Sequence, residues 1–219
     1  MSAAPRALVA ATVLLAIGLV VSGIQPYDRT TWFLEVVPVM IGLVLMWATW
    51  GRFPLTTLLY VLIVIHGFVL VLGGAYTYAR VPLGFTIQEM FGLARNPYDR
   101  IGHFMQGFVP AVLAREILLR GGYVARGHAK MLAFIVICIP LAFSAFYELI
   151  EWWTALALGQ GADDFLGTQG DPWDTQSDMF MALIGASAAV LFLSRLHDRQ
   201  IAALPGSRNQ PARRTDSRG

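Results

Sequence analysis

Long apolar runs broken by short polar punctuation organise the chain. Six of them approach the ~20 residues that an α-helix needs to cross a ~30 Å hydrocarbon core. They lie near 7–25, 33–50, 55–79, 101–120, 131–156 and 179–195. The pattern predicts an all-α, polytopic membrane helix bundle of about six transmembrane helices, forming a single domain over 1–195. The remainder, 196–219, is polar and Arg-rich and reads as a disordered basic tail. The first run reads as an uncleaved anchor, although Val21, Ser22 and Gly23 resemble a weak cleavage context. The break over 80–100 is not simply polar. Phe85, Ile87, Met90, Phe91 and Leu93 alternate there with Gln88 and Glu89, which predicts an interfacial or re-entrant segment.

Composition removes the soluble alternative. Of 219 residues, 56% are hydrophobic and 14% are charged, against roughly 25% charged in an ordinary soluble domain. A single cysteine, Cys138, lies in an apolar run, so the chain forms no intramolecular disulfide and no cysteine metal cluster. All six tryptophans fall near predicted span ends, where amphipathic rings favour the headgroup level.

The net charge of +2 hides an asymmetry. If all six helices cross, twelve Lys and Arg lie on the side of the termini, and Arg29, Arg80, Arg95 and Arg100 on the other. The positive-inside rule then puts both termini in the cytoplasm, and the basic tail beside anionic headgroups. Carboxylates gather at the opposite face. Residues 159–178 alone hold Asp163, Asp164, Asp171, Asp174 and Asp178 with no Lys or Arg. Such a cluster needs protons, a cation or basic partners to neutralise it.

Helical spacing sharpens the acidic face, because residues three or four apart share one side of a helix. Asp99, His103 and Gln106 form one stripe, extended by Pro110; Glu148 and Glu151 form another, and Asp174 and Asp178 a third. Three helices thus present polar groups at one depth, where ionisable side chains are costly and face a bundle interior or a wet cavity. Asp99, His103, Glu148, Glu151, Asp174 and Asp178 are the candidate metal ligands. One imidazole among carboxylates suits Mg²⁺, Ca²⁺ or Mn²⁺, or Fe or Zn if His103 coordinates. The same groups also suit acid-base chemistry without a metal, with His103, Glu148 and Asp178 as the candidate catalytic residues. A polar network that only ties helices together is the third reading.

His66 stands alone near the middle of the third run, where a neutral imidazole bonded to a neighbouring helix is the simplest expectation. Glu116 and Arg120 have the favourable order for an i to i+4 ion pair beside Arg115. Ser144 has no histidine at helical spacing to activate it. Ala182, Gly185, Ala186 and Ala189 predict close approach of the last helix to a neighbour.

The stretches NPYDRIGHFMQGFVPAVLARE, SAFYELIEWW and DDFLGTQGDPWDTQSDM, between Asn96 and about Gly185, resemble the YjdF-like family of bacterial inner-membrane proteins. The resemblance implies a compartment, the bacterial inner membrane, but no reaction. A more distant likeness to VanZ-like proteins pairs an Asp and His at one helix start with Glu on the next helix and an Asp before a small-residue helix. Here those positions are Asp99 and His103, Glu148 or Glu151, and Asp174 or Asp178, and the longer GTQGD-containing loop departs from that pattern.

The expected protein is a multi-pass inner-membrane protein with a carboxylate and histidine pocket open to the periplasm. Metal-assisted or acid-base chemistry on a lipid-linked or cell-envelope substrate is the expected activity, with a divalent metal ion as cofactor. Membrane lipids are the expected partners, and no nucleic acid is expected. A proton- or cation-coupled transporter and a non-catalytic scaffold are the competing classes.

Overall fold

The computed structural model describes residues 5–125, 127–158 and 168–204. Among these are seven α-helices: α1 (Arg6–Ile24), α2 (Arg29–Thr49), α3 (Thr57–Tyr76), α4 (Pro82–Phe91), α5 (Tyr98–Arg120), α6 (Ala129–Leu158) and α7 (Asp174–Ala203). Side-chain caps open two of them. The Asp28 carboxylate accepts from the Thr31 N–H at 2.7 Å, and the Thr56 hydroxyl accepts from the Leu59 N–H at 3.4 Å. The Asp28 carboxyl is held below its usual range mainly by that Thr31 bond.

Burial is inverted relative to a soluble protein. Phe192 on α7 is 72% exposed and Val44 on α2 is 67% exposed, whereas Glu116 on α5 is fully buried. Apolar side chains facing outward and ionic ones facing inward are what a hydrocarbon solvent selects. Five helices, α1, α2, α3, α6 and α7, are long and apolar enough to cross a membrane. The fourth expected crossing, α5, is long enough but too polar to qualify, since it carries Asp99, Arg100, His103, Arg115, Glu116 and Arg120. Its neighbours α3, α6 and α7 shield it.

Helices α5 and α7 run parallel along their length. His103 lies by Asp178, Gly107 against Ala182, and Arg115 beside Asp198. The close crossing depends on two glycines. A Cβ on Gly107 would collide with the Ala182 carbonyl oxygen, and one on Gly185 with the Phe104 carbonyl oxygen. Helix α6 returns antiparallel and packs on both. The other half is α1 and α2 on α3, and α3 joins the halves through α5.

Helices α7 and α3 show how the boundaries depart from the hydrophobic pattern. Helix α7 begins at Asp174 and continues to Ala203, so residues 196–203, expected as the start of a disordered tail, are helical. Polar composition misreads them because their partners lie elsewhere in the chain. His197 is buried against Glu116, Asp198 pairs with Arg115, and Gln200 accepts from the Leu58 N–H. Helix α3 ends at Tyr76, earlier than the apolar run. Thr77 there adopts φ 61°, unusual for a β-branched residue. The ring of Tyr78 follows and fills the notch between Gly73 of α3 and Gly102 of α5, where any Cβ would overlap it. The segment expected to lie at the interface is α4, whose Leu83, Phe85, Met90 and Phe91 are all exposed.

Candidate functional site

At the shared end of α5, α6 and α7, His103 is surrounded by acids. Its Nε2 lies 3.6 Å from Asp99 Oδ1, 3.8 Å from Glu148 Oε1 and 4.0 Å from Asp178 Oδ2. Asp99 and His103 are neighbours one turn apart on α5. Asp178 arrives because the Gly107 and Gly185 notches press α7 against α5 one turn further along. Glu148 and Glu151 come from the end of α6. Donor atoms of Asp99, His103 and Asp178 lie within 4.8 Å of one another, as do those of His103, Glu148 and Glu151. Five of the six residues singled out in the sequence therefore converge.

The sixth, Asp174, is held at the rim by an ion pair with Arg95. Arg95 also donates to the Thr168 carbonyl at 2.8 Å and lies 3.5 Å from Asp171, while Arg100 lies 3.3 Å from Asp171. Part of the acidic loop is thus neutralised by Arg95 of the preceding loop and Arg100 of the first turn of α5. Asp163 and Asp164 lie outside the described residues.

The two loops are stitched together by Asn96 and Gln169. The Asn96 N–H donates to Gln169 Oε1 at 3.1 Å, and Gln169 Nε2 donates to the Asn96 carbonyl at 3.0 Å. The Asn96 side chain donates to the Ala79 and Val81 carbonyls and accepts from the Tyr98 N–H. The NPYD and TQGD segments therefore serve as one clamp across the top of the site.

Inside that clamp the hydrogen bonding is incomplete. Buried His103 Nδ1, Gln106 Oε1, Ser144 Oγ, Glu148 Oε1 and Asp178 Oδ1 have no hydrogen-bond partner among the described residues. None of the three distances from His103 Nε2 is a hydrogen bond either. Buried polar atoms are normally paired, and orphans that face one another are the pattern of a site that takes up an ion or water. Ligands about 2.0–2.2 Å from one ion lie about 2.8–4.4 Å from each other, and the separations of 3.6 to 4.0 Å from the imidazole fall in that interval.

Glu35 was not singled out in the sequence as a site residue. It lies on α2, only 4% exposed. The Tyr147 hydroxyl donates to it at 3.4 Å, and the Tyr147 ring stands edge-on to His103 with 6.4 Å between centroids. Tyr78 faces Glu35 from the other side. Burial first, and neighbouring Glu35 second, push the Tyr78 hydroxyl well above its usual range, so it keeps its proton beside Glu35. A lone carboxylate inside an apolar run was the available signal.

The opposite end of α5 holds a contrasting cluster. Glu116 accepts from the Thr56 N–H at 3.1 Å, the Thr56 hydroxyl at 2.8 Å and Arg120 at 2.5 Å. His197 Nε2 is 2.9 Å from Glu116, and its Nδ1 is 3.4 Å from Arg115 Nη1. A guanidinium only donates, so the Arg115 contact uses Nδ1 as acceptor and leaves Nε2–H to donate to the carboxylate. No side-chain atom of Glu116 or His197 is among the orphans. One end of the bundle is chemically saturated and the other is not.

Residues 7–199 match the family described as "Predicted membrane protein (DUF2238)". The chain is also similar to the inner membrane protein YjdF of Escherichia coli (strain K12). They are 62% identical over 187 residues, covering 85% of this chain and 88% of that one. No solved structure matches. Together with the five apolar helices, these likenesses identify an integral, multi-pass inner-membrane protein.

Proposed function

The chain belongs to the DUF2238 family of membrane proteins, and from that premise we propose that it binds a divalent cation near the periplasmic surface and uses it in chemistry on a lipid-linked or cell-envelope substrate. Asp99, His103, Glu148 and Asp178 hold the ion, and Glu151 completes the set from α6. The observation that carries this reading is the group of unpaired buried atoms around His103, set at ligand spacing. Helix α5 is a sixth crossing, screened from lipid by α3, α6 and α7. With six crossings, twelve basic residues on one side against four on the other favour both termini in the cytoplasm and the site outside.

A bound ion of this kind polarises a carbonyl or phosphoryl oxygen and acidifies a water. The protein's own groups supply the rest. Asp99 sits one turn before His103, faces the same imidazole nitrogen and would hold the ion beside it, which leaves one carboxylate of the α6 pair, Glu148 or Glu151, to accept a proton from the reacting group. Asp178 holds its place on the glycine crossing. The exposed apolar side chains of α4 meet the outer leaflet beside the clamp, which favours lateral approach by a lipid-anchored molecule.

The test is elemental analysis of the purified full-length protein after chelation and refilling with Mn²⁺, Zn²⁺ or Mg²⁺. About one ion per chain is expected, with affinity at least tenfold lower in Asp178→Asn and Glu148→Gln and the helical signal retained. Wild-type protein that folds yet takes up none of the three ions would end the metal reading.

A further inference from the structure

The unpaired atoms around His103 divide between the two edges of its ring. Nε2 faces Asp99, Glu148 and Asp178. Nδ1, on the other edge, is buried with no hydrogen-bond partner among the described residues. Gln106 approaches the imidazole from one turn further along α5, and its Oε1 is also a buried orphan. A third is the hydroxyl of Ser144 on α6, a residue 0% exposed. Because α6 runs antiparallel to α5 and Glu148 is level with His103, Ser144 and Gln106 both lie one turn deeper in the bundle.

Imidazole chemistry gives these three atoms a common task. In the neutral ring one nitrogen carries the proton and the other a lone pair, and the hydrogen bond made by one decides which is left to bind a metal. An ion among the carboxylates takes the lone pair of Nε2, which leaves the proton on Nδ1. A metal-bound histidine normally donates that second N–H to an outer acceptor. Asp99, Glu148 and Asp178 face the opposite edge of the ring. Gln106 Oε1 has two lone pairs, one for Nδ1–H and one for the Ser144 hydroxyl. All three orphans are then paired, and a neutral amide adds no charge to a site already crowded with carboxylates.

The donor set also narrows the ion. Both three-donor groups among the described residues include His103. Mg²⁺ and Ca²⁺ are bound through oxygen, whereas imidazole suits transition ions. We propose that the centre is a nitrogen-ligated transition-metal site in which Gln106, as positioning residue, takes the Nδ1 proton of His103 and so holds the lone pair of Nε2 on the ion. This role of Gln106 rests on the metal reading above.

The experiment uses the full-length protein loaded with Mn²⁺, a stringent probe because carboxylates alone would satisfy it. Pulsed electron paramagnetic resonance should show a directly bound nitrogen in the wild type, lost in His103→Asp. Gln106→Met, similar in volume but without the acceptor, should bind Mn²⁺ about 10- to 100-fold more weakly with the helical signal and melting temperature unchanged. Gln106→Glu, which restores an acceptor oxygen, should recover most of that loss. Ser144→Ala removes only the second partner of the amide and should cost about two- to threefold. Mn²⁺ should remain bound in about tenfold excess Mg²⁺. Mn²⁺ uptake without a nitrogen signal, a signal that survives His103→Asp, Gln106→Met within about twofold of wild type, or displacement by that Mg²⁺ overturns the proposal and leaves a metal site standing. Wild-type protein that takes up no ion ends both.

Discussion

Glu116 offers the sharpest energetic test of the bundle. Replacing it with Leu removes one acceptor group from four donors. Arg120 keeps the Pro54 carbonyl at 2.7 Å and the Phe53 ring at 3.7 Å, so it suffers least. The Thr56 N–H and hydroxyl and the His197 Nε2–H are about 1% exposed and lose their partner altogether. At ~1–3 kcal/mol for each buried orphan, partly relieved by rearrangement, Glu116→Leu should cost about 3–5 kcal/mol, as for other broken buried ion networks. Glu116→Gln keeps an acceptor oxygen but turns an amide N–H₂ toward a donor, and should cost about 2 kcal/mol. Adding His197→Leu to Glu116→Leu removes one orphan and should recover about 1–2 kcal/mol, a coupling expected only for residues in contact. The assay is unfolding by sodium dodecyl sulfate in mixed micelles, followed by circular dichroism. A double variant no more stable than Glu116→Leu would refute the reasoning, as would a Glu116→Gln cost under about 0.5 kcal/mol. Metal affinity should not change, because thirteen residues of α5 put His103 ~20 Å away.

Three further outcomes follow from the geometry. Gly107→Ala and Gly185→Ala force α5 and α7 apart, so each should lower stability by about 1–3 kcal/mol and weaken metal uptake together with it, read by the same unfolding assay and by elemental analysis. Gln169→Ala removes both hydrogen bonds between Gln169 and the Asn96 main chain and should loosen the clamp between the two loops, read as faster hydrogen exchange of the Asn96 amide with the Glu116 end unchanged. Asp28→Ala should cost about 1 kcal/mol at neutral pH through loss of the cap. Because the folded pKa of Asp28 is lowered, its contribution is present above the unfolded value and is lost as pH falls through the lower folded value. The wild-type and Asp28→Ala unfolding curves should therefore begin to converge only as pH falls below about 4.

Period and run length made most of the helices legible, because a hydrocarbon solvent imposes an almost uniform apolar surface on α1, α2, α3, α6 and α7. Local spacing also placed Asp99 beside His103 and Glu148 beside Glu151, since one helix turn decides that. What stayed hidden depends on contacts between distant segments. Nothing near His197 marks it as the partner of Glu116, 81 residues earlier, so residues 196–203 looked like solvated tail. Arg95 looked like an isolated loop cation, yet it ties Asp174 to the rim. Glu35 belongs to a helix with no other acid, and only the fold brings Tyr78 and Tyr147 to it.

The polarity of α5 bears on how the chain is made. Charged residues at a helix centre each disfavour release from the translocon into lipid by ~2.5–3.5 kcal/mol, but those of α5 lie toward its ends, Asp99 and Arg100 in the first turn and Arg115, Glu116 and Arg120 in the last two. His197 lies 81 residues beyond Glu116, which at ~5–20 residues per second is ~4–16 s of synthesis. For that interval Glu116 has Thr56 and Arg120 but not His197. The helices α1, α2 and α3 can meet as soon as they are made, whereas the packing of α5 is complete only when α7 arrives.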